Sequence, residues 1–250
     1  MKIDLKEFNI LVTGASRGIG EAISKGLGES GARIAIHYNN NKELAEAVAK
    51  SIGNGSKTFK ANLGDPVECE MLFNSVLTEF GHIDVIVNNA GTAISSPITS
   101  DNWVSDWDDT LNINLRAVGI LCNMAIQHFQ TRSSGRIINI ASRSAFRGEM
   151  PEYLAYAASK GGVVSLSKSI AKDFGKDGIT CFVIAPGWVK TDMAQESIDA
   201  HGEDFILKDL ALNRLTEPTD IAPIVALLAS GLADHATGTT IDINAASYVH

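Results

Sequence analysis

The chain has 250 residues, 45% hydrophobic and 20% charged, a globular composition without a disorder signature. Its 21 basic and 29 acidic side chains give a formal net charge of -8, which argues against nucleic acid as the main partner, because phosphate contacts need clustered Lys and Arg. No stretch reaches the ~18 apolar residues of a membrane span, and the opening MKIDLKEFNILVTGAS puts Asp4 and Glu7 before a short apolar run, so a cytoplasmic protein with no membrane partner is expected.

Short apolar runs alternate with longer segments of helical period. Strands are predicted at Asn9 to Thr13, Arg33 to Tyr38, Thr58 to Asn62, Asp84 to Asn88, Gly135 to Ala141, Ile179 to Ala185 and Thr239 to Asn244. Most are β-branched and apolar at consecutive positions, as in strands covered on both faces. Ile19, Ile23 and Leu27 form one helical stripe, and Val163, Leu166, Ile170 and Phe174 another, with Gly31 and Gly175 where these helices should stop. The reading is one α/β domain over residues 1–250: a doubly wound, parallel, seven-stranded sheet in a three-layer α/β/α arrangement. Asp192 to Thr216 is the least regular segment. It mixes Glu196, Asp199, Glu203 and Asp204 with Ile206, Leu207 and Leu210, and is either a substrate lid or two short surface helices. Cys69, Cys122 and Cys181 are odd in number and far apart, so they read as buried thiols. His37, His82, His128, His201, His235 and His250 lack metal-ligand spacing, and no metal is expected.

Directly after the first strand comes Thr13-Gly14-Ala15-Ser16-Arg17-Gly18-Ile19-Gly20, opening into a helical pattern. Glycines there allow a sharp turn and close approach of backbone to a ligand, while the free N–H groups and positive end of the helix favour phosphate. The expected ligand is a dinucleotide on a Rossmann-type fold, although the spacing is Gly-x3-Gly-x-Gly rather than the common Gly-x-Gly-x2-Gly. At the end of the second strand an acid would bind the adenosine ribose and repel a 2'-phosphate. Here the chain reads His37-Tyr38-Asn39-Asn40-Asn41, without an acid, and Arg17 offers planar donors. NADP(H) is therefore favoured over NAD(H), with Tyr38 and Asn39 at the ribose end.

Tyr156 and Lys160 stand four residues apart at the start of a helical stripe, on one face and one turn apart. A free tyrosine titrates near pH ~10. An ammonium ~5 Å away, at an effective dielectric of ~20, favours phenolate by ~3 kcal/mol, or ~2 pH units.

With this pair in view, the sequence resembles the short-chain dehydrogenase/reductase family over nearly its whole length, from about Phe8 to Asn244. The residues carrying the resemblance are Thr13 to Gly20, Asn88-Asn89-Ala90-Gly91, Asn114, Ser142, Tyr156 with Lys160, and Pro186-Gly187 followed by Thr191. It implies that Tyr156 exchanges a proton with the substrate oxygen while hydride moves at the nicotinamide. Lys160 would lower the tyrosine pKa and hold the ribose, Ser142 would orient the substrate oxygen, and Asn114 would hold a water joining Lys160 to solvent. Ser144 competes with Ser142, and Asn112 with Asn114. Asn62 and Leu63 resemble the adenine-binding pair, Asn89 would contact the adenosine side, Val189 and Thr191 the nicotinamide carboxamide, and Ala90, Gly91, Pro186 and Gly187 would also contact the cofactor. Asn88 and Asn89 also read as ties between strands, and Tyr153 as a pocket wall.

Two departures from the family pattern stand out. The family's last strand is often followed by Asp-Gly-Gly, whereas this chain ends Asp242-Ile243-Asn244-Ala245-Ala246-Ser247-Tyr248-Val249-His250, and the Ser142 to Tyr156 spacing is one residue longer than in many relatives. Among family members the resemblance is to bacterial 3-oxoacyl-[acyl-carrier-protein] reductases. Arg132, Arg143 and Arg147 offer some charge for an acidic carrier, but Lys176-Asp177 is mixed and the chain is acidic. The expectation is an NADP(H)-dependent oxidoreductase interconverting a ketone and a secondary alcohol, assembled as a homotetramer. An NAD(H)-dependent sugar or polyol dehydrogenase, for which Arg143, Arg147 and Glu149 would bind polar groups, and a non-catalytic NADP(H)-binding regulator are the alternatives.

Overall fold

The computed structural model describes residues 3–192, 194–195, 199 and 202–249. Strands β1 (Asn9–Val12), β2 (Arg33–Tyr38), β3 (Lys57–Lys60), β4 (Val85–Asn88), β5 (Gly135–Ile140), β6 (Ile179–Pro186) and β7 (Thr240–Ile243) form one sheet in the order β3-β2-β1-β4-β5-β6-β7. Every neighbouring pair is parallel. The helices are α1 (Gly18–Glu29), α2 (Lys42–Ile52), α3 (Pro66–Phe80), α4 (Trp103–Leu111), α5 (Ala117–Arg132), the single turn α6 (Ser144–Arg147), α7 (Leu154–Phe174), α8 (Glu203–Leu207) and α9 (Pro218–Ala229). None of the described helices is long and apolar enough to cross a membrane.

The consecutive apolar residues of the central strands feed two cores. Ile10, Val12, Val85, Val87, Ile138, Ile140, Phe182 and Ile184 point to the face covered by α1, α2 and α9. The residues between them, Leu11, Ile86, Ile137, Cys181 and Val183, point to the face covered by α3, α5 and α7. Side chains alternate along a strand, so a strand buried on both faces must be apolar throughout. Both predicted helical stripes pack accordingly: Ile23 and Leu27 are fully buried with Ile19 beside them, and Val163 and Ile170 are buried with Leu166 and Phe174 beside them. The three cysteines are free and buried, and burial pushes the Cys69 thiol up to about 11 and that of Cys122 up to about 12.

Most expected strand ends lie within one residue of those found, and the end of β3 moves by two. The β3 ladder ends before Asn62, whose N–H donates to the Glu68 carboxylate and whose carbonyl accepts from Asp65 N–H in a turn. α7 stops at the expected place, with Gly175 as its C-cap; a short 3-10 turn follows, and the chain reverses at Gly178. There φ is +77°, and a Cβ would lie 2.1 Å from the Ser133 carbonyl oxygen.

Strand order reverses between β1 and β4. Open α/β sheets form a ligand crevice at such a point, beyond the carboxyl ends of the strands. That topology sets Gly14 to Gly20, after β1, against Asn89 to Gly91, after β4.

Candidate active site

The glycine turn is shaped by contacts that exclude side chains. Gly14 and Gly18 have φ of +62° and +58°, and a Cβ on Gly20 would lie 2.2 Å from the Gly14 carbonyl oxygen. A Cβ on Gly14 would lie 2.9 Å from Cα of Ala90, so the turn seats directly on the β4 loop. Thr13 Oγ1 accepts from the N–H groups of Asn89 and Ala90 at 2.9 and 3.0 Å, and Asn89 Nδ2 donates to the carbonyls of Thr13 and Gly14. Arg17 is the N-cap of α1 but gives it no side-chain cap, leaving the first-turn N–H groups for another acceptor. Ile19, Asn89 and Gly91 line the cavity into which the turn opens. These features fit the pyrophosphate of a dinucleotide: a cradle that a Cβ would fill and a positive helix end.

His37 braces the same turn, and sequence reasoning missed it. It is buried, its Nδ1 accepts from Gly14 N–H at 2.9 Å, and its Nε2 donates to the Ala61 carbonyl at 3.0 Å. Burial pushes its pKa down to about 4, so the ring is neutral and one tautomer satisfies both bonds. The signal was a lone polar residue inside an otherwise apolar strand. Tyr38 packs in the core beneath the turn, while Asn39 is exposed. Ser16 is half-buried in the turn. Asn62 is exposed and its Oδ1 accepts from Gly64 N–H, whereas the Leu63 side chain is buried. Arg17 does not stand free: Nη1 meets Asp192 Oδ2 at 2.6 Å, with both side chains largely exposed.

Ser142, Tyr156 and Lys160 line the cavity, with Pro186, Gly187, Val189 and Thr191 on the β6 side. Lys160 is buried on α7, donates to the Ile140 carbonyl at 2.9 Å, and lies 5.8 Å from the Tyr156 ring centroid. Burial pushes Lys160 down to about 8 and is also the largest effect on Tyr156, whose pKa it raises; a hydrogen bond with Ser142 lowers it and the Glu149 charge raises it. The expected lowering of the tyrosine pKa by Lys160 is therefore not what this arrangement gives, because the ammonium is aimed at a backbone carbonyl and both groups are desolvated. Asn114 sits in a π-helical turn, Asn112–Arg116, between α4 and α5 and is fully buried. Its Oδ1 accepts from Thr92 N–H, and its Nδ2 donates to the Thr92 carbonyl and to Ser159 Oγ. Asn112 is half-buried on the same turn. A Cβ on Gly91 would lie 3.2 Å from Asn114 Oδ1 and 3.4 Å from Lys160 Nζ, so these three groups meet at the β4 loop.

The rim joins the two serines that competed in the sequence. Ser142 Oγ donates to Ser144 Oγ at 3.0 Å, and Ser144 Oγ donates to Glu149 Oε1 at 2.6 Å. Tyr153 and Trp188 also line the cavity. Arg143, only 3% exposed, pairs with Asp209 at 2.6 Å and faces the Trp188 ring, and Arg147 reaches the same carboxylate at 3.2 Å. Arg132 pairs with Asp84. Asp209, from the Asp192 to Thr216 segment, was not foreseen as a rim residue. Within that segment Ala194 lines the cavity, α8 precedes Asp209, and Thr216 bridges to Val189; Met193, Glu196, Ser197, Ile198, Ala200 and His201 lie outside the described residues. Asn88 Nδ2 donates to Asn139 Oδ1 and ties β4 to β5.

A family model described as enoyl-(acyl carrier protein) reductase matches residues 14–245. The chain is 39% identical over 247 residues to the 3-oxoacyl-[acyl-carrier-protein] reductase of Staphylococcus aureus, covering 96% of this chain and 97% of that one. It is 36% identical over 244 residues to the corresponding reductase of Escherichia coli, covering 96% of each chain. Among solved structures it is similar to a dehydrogenase/reductase from Sinorhizobium meliloti, with a TM-score of 0.91 at 33% identity over 99% of this chain and 98% of that one. A short chain dehydrogenase from Burkholderia cenocepacia in complex with NADP gives a TM-score of 0.89 at 33% identity over 97% and 98%.

Proposed function

Because the chain belongs to the short-chain dehydrogenase/reductase family and is an NAD(P)-dependent oxidoreductase, we propose that it interconverts a small ketone and a secondary alcohol with NADP(H). The observation that carries the reading is the convergence of Ser142, Tyr156 and Lys160 on one cavity that the glycine turn also enters. A nicotinamide held there would supply or take the hydride. Tyr156 gives its phenolic proton to the carbonyl oxygen in reduction and takes the hydroxyl proton in oxidation. Ser142 fixes the substrate oxygen by a hydrogen bond. Buried Lys160 holds ribose hydroxyls and, with its pKa near 8, passes a proton readily toward Asn114 and solvent. Gly14, Ser16, Gly18, Ile19 and Gly20 would hold the pyrophosphate, and Pro186, Gly187, Val189 and Thr191 would hold the nicotinamide.

The NADP(H) preference is supported by the acid-free Asn39-Asn40-Asn41 run, by Arg17 at the mouth of the turn, and by the NADP complex of the Burkholderia cenocepacia neighbour. The names of the relatives support a second reading, reduction of a carrier-bound 3-oxoacyl thioester. Against a carrier stands the pairing of Arg132, Arg143 and Arg147 with Asp84 and Asp209, which leaves none of these arginines without an acidic partner. The test is a panel of ketones, alcohols and 3-oxoacyl thioesters, free and carrier-bound, assayed with NADPH and NADH. Tyr156→Phe is expected to bind NADPH normally and to lose turnover, and near-normal turnover by that variant would sink the mechanism. The proposed homotetramer predicts a fourfold mass by light scattering, and a monomer would refute it.

A further inference from the structure

After α6, Gly148 at φ +78° turns the chain and brings Glu149 to the cavity wall beside Ser142 and Ser144. Three of the described lining residues carry charge, and two of them, Arg143 and Lys160, are already engaged. Arg143 donates to Asp209 at 2.6 Å, and buried Lys160 donates to the Ile140 carbonyl at 2.9 Å. Glu149 meets neutral donors instead: Ser144 Oγ gives its proton to Oε1 at 2.6 Å, and the Met150 N–H reaches Oε2 at 3.3 Å. No ion pair among the described residues includes Glu149. A carboxylate accepts up to about four hydrogen bonds, so this one keeps acceptor capacity at the wall of the cavity.

The charges around it select the kind of group that can use that capacity. Arg143 and Arg147 share the single carboxylate of Asp209, so these two cations balance Asp209 and Glu149 together. An anionic substrate group would meet Glu149 as a like charge, and a cationic one would upset the balance. An alkyl group would strip water from the carboxylate and return nothing, which is costly for a charge. A hydroxyl returns a charge-assisted hydrogen bond and leaves the balance intact. Glu149 Oε1 stands two hydrogen bonds from Ser142 Oγ, through Ser144 at 2.6 and 3.0 Å. A substrate oxygen held at Ser142 therefore brings a hydroxyl on a nearby carbon toward Glu149. Ala93, Tyr153 and Trp188 give the carbon skeleton an apolar and aromatic wall.

Building on the oxidoreductase reading above, we infer that Glu149 is a specificity-determining residue that accepts a hydrogen bond from a substrate hydroxyl near the reacting carbon. The ketone is then a hydroxy ketone and its reduced partner a diol. A plain 3-oxoacyl chain offers Glu149 no such donor.

The experiment measures reduction with NADPH for two matched pairs in which a methyl replaces the hydroxyl: 1-hydroxybutan-2-one against pentan-3-one, and 4-hydroxybutan-2-one against pentan-2-one. Wild type is expected to favour the hydroxylated member of at least one pair by about 10- to 100-fold in kcat/KM. Glu149→Leu should bring that ratio close to unity, raising KM for the hydroxy ketone and accelerating the plain one. Glu149→Gln keeps an acceptor without the charge and should fall between, and it carries the test if Glu149→Leu does not fold. Dissociation constants for the same pairs in NADPH-loaded Tyr156→Phe, where turnover does not intervene, should show the wild-type preference. Plain ketones reduced as well as their hydroxylated partners, or a ratio unmoved in the folded variants, overturn the inference and leave the oxidoreductase reading intact. Failure to reduce any of these ketones removes the small-ketone reading and this inference with it.

Discussion

The Gly14 N–H donates to His37 Nδ1 at 2.9 Å, so the glycine turn hangs from a buried, neutral imidazole that is held in turn by the Ala61 carbonyl. Protonating Nδ1 would replace an acceptor by a donor facing another donor. The ring resists this, with its pKa pushed from 6.5 down to about 4 by burial. The unfolded chain takes up the proton below about pH 6.5 and the folded chain only near pH 4. The unfolded state thus binds more protons between these values, and stability must fall as pH falls. The stabilisation is complete above pH 6.5 and lost by pH 4, and amounts to roughly 3 kcal/mol. His37→Gln, which keeps an acceptor and a donor, should flatten this part of the stability profile and loosen NADPH binding only slightly. Urea midpoints measured across that pH range check it, and an unchanged slope in the variant would show that other groups carry the acid sensitivity.

The tail after β7 keeps a glycine conformation without glycine. Ala245 and Ala246 have φ of +51° and +55°, the left-handed region that costs an L-residue ~1–2 kcal/mol. Contacts hold them there: the Ala245 carbonyl accepts from Ala211 N–H, Asn244 Nδ2 donates to the Tyr248 carbonyl, and the Tyr248 ring stacks on Phe146 of α6. Replacing either alanine by glycine relieves the strain but adds ~0.5–1 kcal/mol of unfolded-state entropy. A net stabilisation of about 0.5–1 kcal/mol per site is expected in denaturant titrations. Destabilisation by both variants would mean that the methyl groups pack well enough to outweigh the backbone strain.

How much could be read in advance divides along sequence separation. The seven strands follow from short apolar, β-branched runs, both helical stripes from a period of 3.6 residues and the glycine turn from local turn chemistry, all of which lie within one element. The strand order placed Ser142, Tyr156 and Lys160 together once their elements were known. The Ser144–Glu149 link depends on the reversal at Gly148, and the Arg143–Asp209 pair joins residues 66 apart. No local pattern encodes such pairs. His37 was visible as a polar interruption in β2, but its partners came from the turn after β1 and from the chain just beyond β3. The strain at Ala245 and Ala246 was foreshadowed only by the departure from the family's glycine pair.

Asp209 holds the rim to the active-site loop. Arg143 is almost wholly buried beside Trp188, and Asp209, 39% exposed, neutralises it from the solvent side. Breaking a fully buried pair costs ~3–5 kcal/mol, and water at Asp209 reduces that here to about 2 kcal/mol for Asp209→Asn. In a chain of this length the melting temperature should fall by roughly 4–8 °C, with a higher KM as the 192–216 segment loses its anchor. Thermal melts and steady-state kinetics check the two effects. A variant that melts like wild type would show that Arg143 is adequately held by Trp188 and Glu149 alone.

The proposed preference for NADP(H) turns on how cheaply Arg17 leaves Asp192. The pair is short, at 2.6 Å, but both side chains lie largely in water, where such pairs contribute ~0–1 kcal/mol. On the proposed NADP(H) reading, a charge-assisted bond from Arg17 to the 2'-phosphate would be worth ~1.5–3 kcal/mol and would outweigh the pair with Asp192. Arg17→Ala should weaken NADPH binding by about 10- to 100-fold and leave NADH binding nearly unchanged. Asp192→Asn removes the competitor and should tighten NADPH by no more than about 5-fold. Isothermal titration with both dinucleotides separates the two effects. Equal losses for NADPH and NADH in Arg17→Ala would place the guanidinium on the shared pyrophosphate and leave the preference to the acid-free end of β2.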